Sequence, residues 1–214
     1  MASIINASTT STAGLVQTAD ASGVLQLQTN GVTGLTVEAN AAVTMGSNLF
    51  VSGSTVQPLV VRTAQSITGS TNIDFGSIPS WVERITIVVQ GMSTNGTSPP
   101  IIRLGTSSGY VTSGYLSSGT AYGGSSNGSG VQYTNGFGFG GTVATSSTIS
   151  GIMTLVNISG TTWVSSCSIA YIDAAYSGTA GGHVVAGGLV NSLRLTTVNG
   201  TDTFDAGSIN ILYE

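Results

Sequence analysis

Apolar and polar residues alternate along this chain in short stretches, and no long stretch follows the 3.6-residue period of a helix. Glycine and β-branched residues recur from end to end, which lowers helix propensity further. The chain is therefore predicted to be all-β. In the segment from Trp163, residues Trp163, Cys167, Ile169 and Tyr171 share one face of an extended strand while Ser166, Ser168 and Ala170 share the other. Small residues on that outer face would let another subunit approach closely. Near the end, Ile209, Ile211 and Tyr213 align on one face, and Gly207 before them predicts a bulge. The same pattern predicts strands at 82–90, 101–105, 131–139, 149–158, 163–172, 183–191, 193–198 and 208–213. Asn-Gly pairs at Asn30, Asn95, Asn127, Asn135 and Asn199 supply the left-handed backbone that tight hairpin turns require. Antiparallel strands at this spacing suit a two-sheet sandwich, most economically a jelly roll, over residues 69–214.

Residues 1–68 read as a separate short-strand unit for anchoring and oligomerisation. Gly14–Thr18, Gly23–Leu27 and Gly34–Glu38 each place a glycine before a short alternating strand, with 42–45 and 48–51 continuing the series. These strands are too short, and too poor in large side chains, to make a robust core alone. The unit is expected to intertwine with identical copies or to lie along another protein. Its candidate anchoring or interface residues are Ile4, Ile5, Leu15, Val16, Val24, Leu25, Leu35, Val37 and Phe50.

Composition sharpens this picture. With 214 residues, the chain is long enough for one sizeable core or two modest ones. Four arginines, no lysine, eight acids and one histidine leave 6% of residues charged. Ordinary domains carry about 25%. The surface must then be built from Ser, Thr, Gly and Asn. Without a basic stripe, nucleic acid and anionic membranes are poor partners. Low charge gives a free monomer little colloidal protection, which favours life inside an assembly. The longest apolar runs, around Leu59–Val61 and 183–190, fall far short of a membrane helix of about 20 residues. Residues 1–6 lack the basic and apolar regions of a secretory signal, so assembly in a cytoplasm is expected. The lone Cys167 cannot form an intrachain disulfide and reads as a buried, inert thiol.

Catalytic chemistry finds little support. A triad would need His183, the single imidazole, with a serine and Asp173, yet no nucleophile motif is present. A glycosidase pair would draw on Asp74, Glu83, Asp173, Asp202 and Asp205, which are scattered along the chain. One Cys and one His make no zinc site, and no calcium loop is present. Gly136-Phe137-Gly138-Phe139-Gly140-Gly141 mimics a dinucleotide fingerprint, but no helix is predicted to follow it. No catalytic, cofactor-binding or metal-binding residue is assigned, and the protein is not expected to be an enzyme.

Tyr110 to Phe139 interleaves Tyr110, Tyr115, Tyr122, Tyr133, Phe137 and Phe139 with Gly, Ser and Asn. Rigid aromatic anchors amid small polar residues make adaptable recognition surfaces, and Tyr110, Tyr115 and Tyr122 are the candidates for one. The same residues could instead pack sheet corners or pave a subunit interface.

The closing stretch Thr203–Glu214, with Ser77-Ile78-Pro79-Ser80-Trp81-Val82-Glu83-Arg84-Ile85-Thr86, Ser93-Thr94-Asn95-Gly96-Thr97-Ser98 and Leu195–Asp202, resembles a β-domain of structural proteins from tailed bacteriophages and prophages. The resemblance spans about residues 66 to 214, and the N-terminal pattern is similar to segments that begin phage fibre and decoration proteins. Such modules sit on tail fibres, minor tail proteins and head decorations. The resemblance implies a virion structural protein assembled in the host cytoplasm. The preferred expectation is a homotrimeric capsid decoration, or cement, protein bound to the major capsid protein, because the chain is compact and lacks coiled-coil heptads. The alternative is a short tail fibre or receptor-binding protein that adsorbs to a host-surface glycan or receptor. No cofactor, nucleic acid or membrane is expected as a partner.

Overall fold

The computed structural model describes residues 24–29, 32–38, 43–45, 50–51, 54–55, 57–123, 126–141 and 147–214. The described residues contain strands and no helix, and all their strand pairings are antiparallel. The chain divides into two compact units, Met1–Gln57 and Pro58–Glu214. Ile4, Ile5, Leu15 and Val16 lie outside the described residues, as does the Asn30-Gly31 pair.

In the first unit, β1 (Leu25–Thr29), β2 (Val32–Val37) and β3 (Val43–Met45) form a three-stranded sheet in that order. A separate small hairpin pairs β4 (Phe50–Val51) with β5 (Ser54–Thr55).

The second unit runs through β6 (Val60–Val61), β7 (Gln65–Ser66), β8 (Ile73–Phe75), β9 (Arg84–Thr94), β10 (Pro100–Thr106), β11 (Gly109–Tyr110) and β12 (Leu116–Gly123). It continues through β13 (Ser126–Tyr133), β14 (Phe137–Gly138), β15 (Ile149–Ser159), β16 (Thr162–Tyr171), β17 (Tyr176–Val185), β18 (Ser192–Thr197) and β19 (Phe204–Tyr213). A nine-stranded sheet has the order β13-β12-β17-β16-β15-β9-β19-β6, with β7 also paired to β19. A five-stranded sheet has the order β11-β10-β18-β8, with β14 on β10. Period-two alternation explains how they meet. Ile85, Ile87 and Val89 of β9, Met153 and Leu155 of β15, and Ile209 and Ile211 of β19 enter one buried cluster. Phe75, Leu104, Phe137, Leu193 and Leu195 of the smaller sheet enter the same cluster. Each such side chain contributes about 1.5–3 kcal/mol when fully buried.

On β16, Trp163, Cys167, Ile169 and Tyr171 are buried while Ser166, Ser168 and Ala170 are exposed, matching the alternation in the sequence. The bulge expected at Gly207 is present: the β19–β9 register shifts between Ala206 and Ser208. Gly207 has φ +107°, and a Cβ there would lie 2.6 Å from the Gly91 carbonyl oxygen.

Three expectations are corrected. The strand expected at 183–191 is instead β17, ending at Val185. The chain turns at Gly187 with φ +73°, and Ala186 and Val190 are buried from beyond the strand end. The strand expected at 131–139 is broken. β13 ends at Tyr133, and after Asn135-Gly136 the chain joins the other sheet as β14. Gly136 allows that crossing, since a Cβ there would come within 2.7 Å of Ile101. Finally, residues 58–68, expected to close the N-terminal unit, hydrogen-bond into the second unit. Arg62 N donates to Ile211 O at 3.0 Å, and Ile67 is fully buried.

Candidate interaction surfaces

The three-stranded sheet of the first unit is two-faced. Leu25 stands opposite Val37 and Leu27 opposite Leu35, while Val37 stands opposite Val43 on the next strand. Opposed residues share a face, so Leu25, Leu27, Leu35, Val37 and Val43 form one apolar block. Leu25 is 43% exposed, Leu27 46% and Val43 60%. Leu35 and Val37 are half-buried, as is Val24 just before β1. Isolated apolar side chains on a surface are ordinary, whereas a contiguous block on one sheet face is a candidate contact site. Phe50 lies in β4 opposite Thr55, on a separate hairpin.

The aromatic segment divides the sequence candidates. Tyr115 is 1% exposed, so it is not a recognition residue. Its ring meets Phe137 edge to face at 5.0 Å, and Leu104 N donates to its phenolic oxygen at 2.9 Å. Burial pushes its hydroxyl up to about 12. Tyr133, Phe137 and Phe139 are buried as well, so the packing role applies to these rings. The inward phase of β12 and β13 dictates this: Tyr133 stands opposite Ser117, itself buried. Tyr122, on the outward phase of β12, is exposed. Tyr110 is half-buried, and the Arg194 guanidinium carbon sits 4.0 Å from its ring centre.

The outer face of the large sheet offers a second surface. The strands β12, β17, β16 and β15 carry no Asp, Glu, Arg or Lys. Ser118, Ser166, Ser168 and Thr179 point outward beside the exposed apolar residues Leu116, Ile152, Val156 and Val185. His183 is exposed here between Leu116 and Val164.

The residues considered for a triad are held apart. His183 lies seven residues along β17 from Tyr176, about 23 Å at strand rise. Asp173 lies at the Tyr176 end, where it accepts a hydrogen bond from Thr148 N at 3.0 Å, so no triad forms. Asp74 is paired with Arg194, and Asp205 accepts from the Ser93 hydroxyl. Asp202 accepts from Ser98 N at 2.9 Å and from the Asn199 amide at 2.6 Å, cross-linking two turns. Asn95 completes that link by accepting from Thr203 N at 2.9 Å. Arg84 pairs with Glu214. The Cys167 thiol donates to Phe139 O at 3.4 Å, and burial pushes it up to about 12, far from the thiolate a nucleophile needs. Among the described residues, no three His, Cys, Asp or Glu side chains gather as a metal site. A cleft between Thr97, Ser98, Pro99, Tyr133, Phe139 and Tyr171 contains no His, Cys or acid. No helix of the described residues is long and apolar enough to cross a membrane.

What periodicity missed is a charged row on the small sheet. Asp74 of β8 stands opposite Arg194 of β18, which stands opposite Arg103 of β10. Neither arginine lies in a recognisable motif, and only strand register brings them together. No protein-family model, curated protein or solved structure matches this chain.

Proposed function

We propose that this chain is a virion structural protein of a tailed bacteriophage, a homotrimeric capsid decoration protein that binds and stabilises the head surface. The observation that carries this reading is the apolar block in which Leu25, Leu27 and Val43 are exposed beside half-buried Leu35 and Val37, on a sheet of three strands among the described residues. An apolar block left open on a sheet face is the kind of patch that a partner covers. Identical copies and the major capsid protein would cover it in the assembly. The outward face of β12, β17, β16 and β15, strands without Asp, Glu, Arg or Lys, supports the same reading, because it permits close approach without desolvating ions. The likeness of residues 66–214 to phage β-domains supplies the particle as the setting, and assembly takes place in the host cytoplasm. Glycan or receptor adsorption, the tail-fibre reading, drew on the tyrosine segment. With Tyr115, Tyr133, Phe137 and Phe139 buried, that segment keeps Tyr122 as its exposed ring, and decoration is preferred.

Cosedimentation of the purified protein with undecorated, tail-free heads, run beside host-cell envelopes, tests the assignment. Saturable binding to heads alone is expected. Binding to envelopes alone would replace decoration by adsorption.

A further inference from the structure

The small sheet carries a row of charge across three adjacent strands, Asp74 of β8, Arg194 of β18 and Arg103 of β10. Two of the chain's four arginines stand directly opposite one another on β10 and β18. Like charges so placed are destabilising unless something lies between or beside them. Arg194 is neutralised by Asp74: its Nε and Nη2 donate to the two carboxylate oxygens of Asp74, each at 2.7 Å, and its guanidinium stacks on Tyr110. Among the described residues, Arg103 pairs with no acid. Its Nε donates to Asn135 O at 2.9 Å, which fixes the guanidinium plane and leaves both terminal nitrogens without an acceptor among the described residues. Asp74, Arg194 and Arg103 together carry one net positive charge, matched to a monoanion. Tyr110 stands beside them, with the edge of its ring 3.0 Å from where a Gly105 side chain would begin.

We propose that this row is a carboxylate-binding site in which the terminal nitrogens of Arg103 take an acidic side chain of a neighbouring protein as a two-pronged fork. A planar carboxylate fits the open edge of a guanidinium, whereas a doubly charged phosphate would meet Asp74 with more repulsion. The protein source follows from the other contact surfaces, which are apolar or hydroxyl-lined and give little directional information. One charged contact among them sets register and excludes wrong partners. The assignment of a protein neighbour rests on the assembly reading above, while carboxylate binding itself is a property of the free chain.

The test follows the backbone amide resonances of residue 103 and its cross-strand partner Arg194, present in wild type and variants alike, in the full-length protein during titration with acetate, capped glutamate, glucuronate and sulfate. Saturable shifts with acetate and capped glutamate at similar affinity are expected. Arg103→Gln should weaken both by about tenfold or more, the scale of one charged hydrogen bond. Arg103→Lys, which keeps the charge without the fork, should fall between. An absence of saturable shifts, or undiminished binding in Arg103→Gln and Arg103→Lys, overturns the site. Sulfate binding tighter than either carboxylate overturns the ligand class. Glucuronate binding about tenfold tighter than acetate would replace the protein side chain with an acidic sugar and overturn the assigned partner. Because these titrations use free protein, their failure is distinct from a failure to bind heads.

Discussion

At the scale of single residues, tyrosines of one segment have opposite duties, and substitution should separate them. Tyr115→Phe leaves Leu104 N buried without its acceptor, at a cost of about 1–3 kcal/mol in urea unfolding. Tyr122→Ala, on the exposed phase of the same strand, should change stability by less than about 0.5 kcal/mol. That all six rings of the segment were equally visible in the sequence, and that their burial was not, has a simple cause. Alternation assigns residues to a face only when strand limits are known, and the Gly, Ser and Asn around them conceal those limits. Two aspartates give the fold a pH dependence of definite sign. The Arg194 hydrogen bond holds Asp74 below its ordinary value, and the Asn199 amide with Ser98 N does the same for Asp202. A depressed carboxylate stabilises the fold fully above its unfolded value near 3.8 and loses that contribution as pH falls through the folded value. The urea midpoint should therefore hold from neutrality down to about pH 5 and drop below about pH 4. Asp74→Asn and Asp202→Asn should each flatten that drop.

At the scale of elements, glycines mark where strands bend or change partners. Gly207→Ala puts an L side chain at φ +107° against the Gly91 carbonyl and should cost at least about 1–3 kcal/mol by thermal or urea unfolding. A bulge tolerant of that substitution would mean the register shift does not need glycine. Gly207 was legible because it interrupts the apolar alternation of Ile209, Ile211 and Tyr213. The strands β12 and β17 were not, because Leu116–Gly123 and Tyr176–Gly182 contain the residues that ordinarily signal turns. Both exist through mutual pairing, Gly119 opposite Ala180 and Ala121 opposite Gly178. Their small residues have a packing reason: a Cβ on Gly119 would lie 2.5 Å from the Gly140 carbonyl oxygen. The crossing from β13 to β14 was hidden for a related reason, since the aromatic alternation of Tyr133, Phe137 and Phe139 continues through it while the sheet changes.

At the scale of the whole molecule, the two units should be separable by function. Deletion of residues 1–57 is expected to leave a cooperatively folded 58–214 that no longer sediments with heads. Retained binding at native occupancy would remove the anchoring role. Replacing Leu25 and Leu27 together with serine should give the same loss while leaving the urea midpoint of the second unit unchanged. The all-β class was readable from periodicity, whereas the charged row was not, because Asp74, Arg103 and Arg194 are brought together only by pairings between strands distant in sequence. Distance along the chain also bears on synthesis. β19 lies between β9 and β6, and the Asn210 amide donates to Arg62 O across 148 residues. A ribosome adding about 5–20 residues per second needs of order 10 s to make that stretch. From the emergence of β9 until β19 leaves the exit tunnel, the β9 edge that β19 covers stays open on the nascent chain. Chaperone capture should therefore peak before residue 213 emerges and cease soon after.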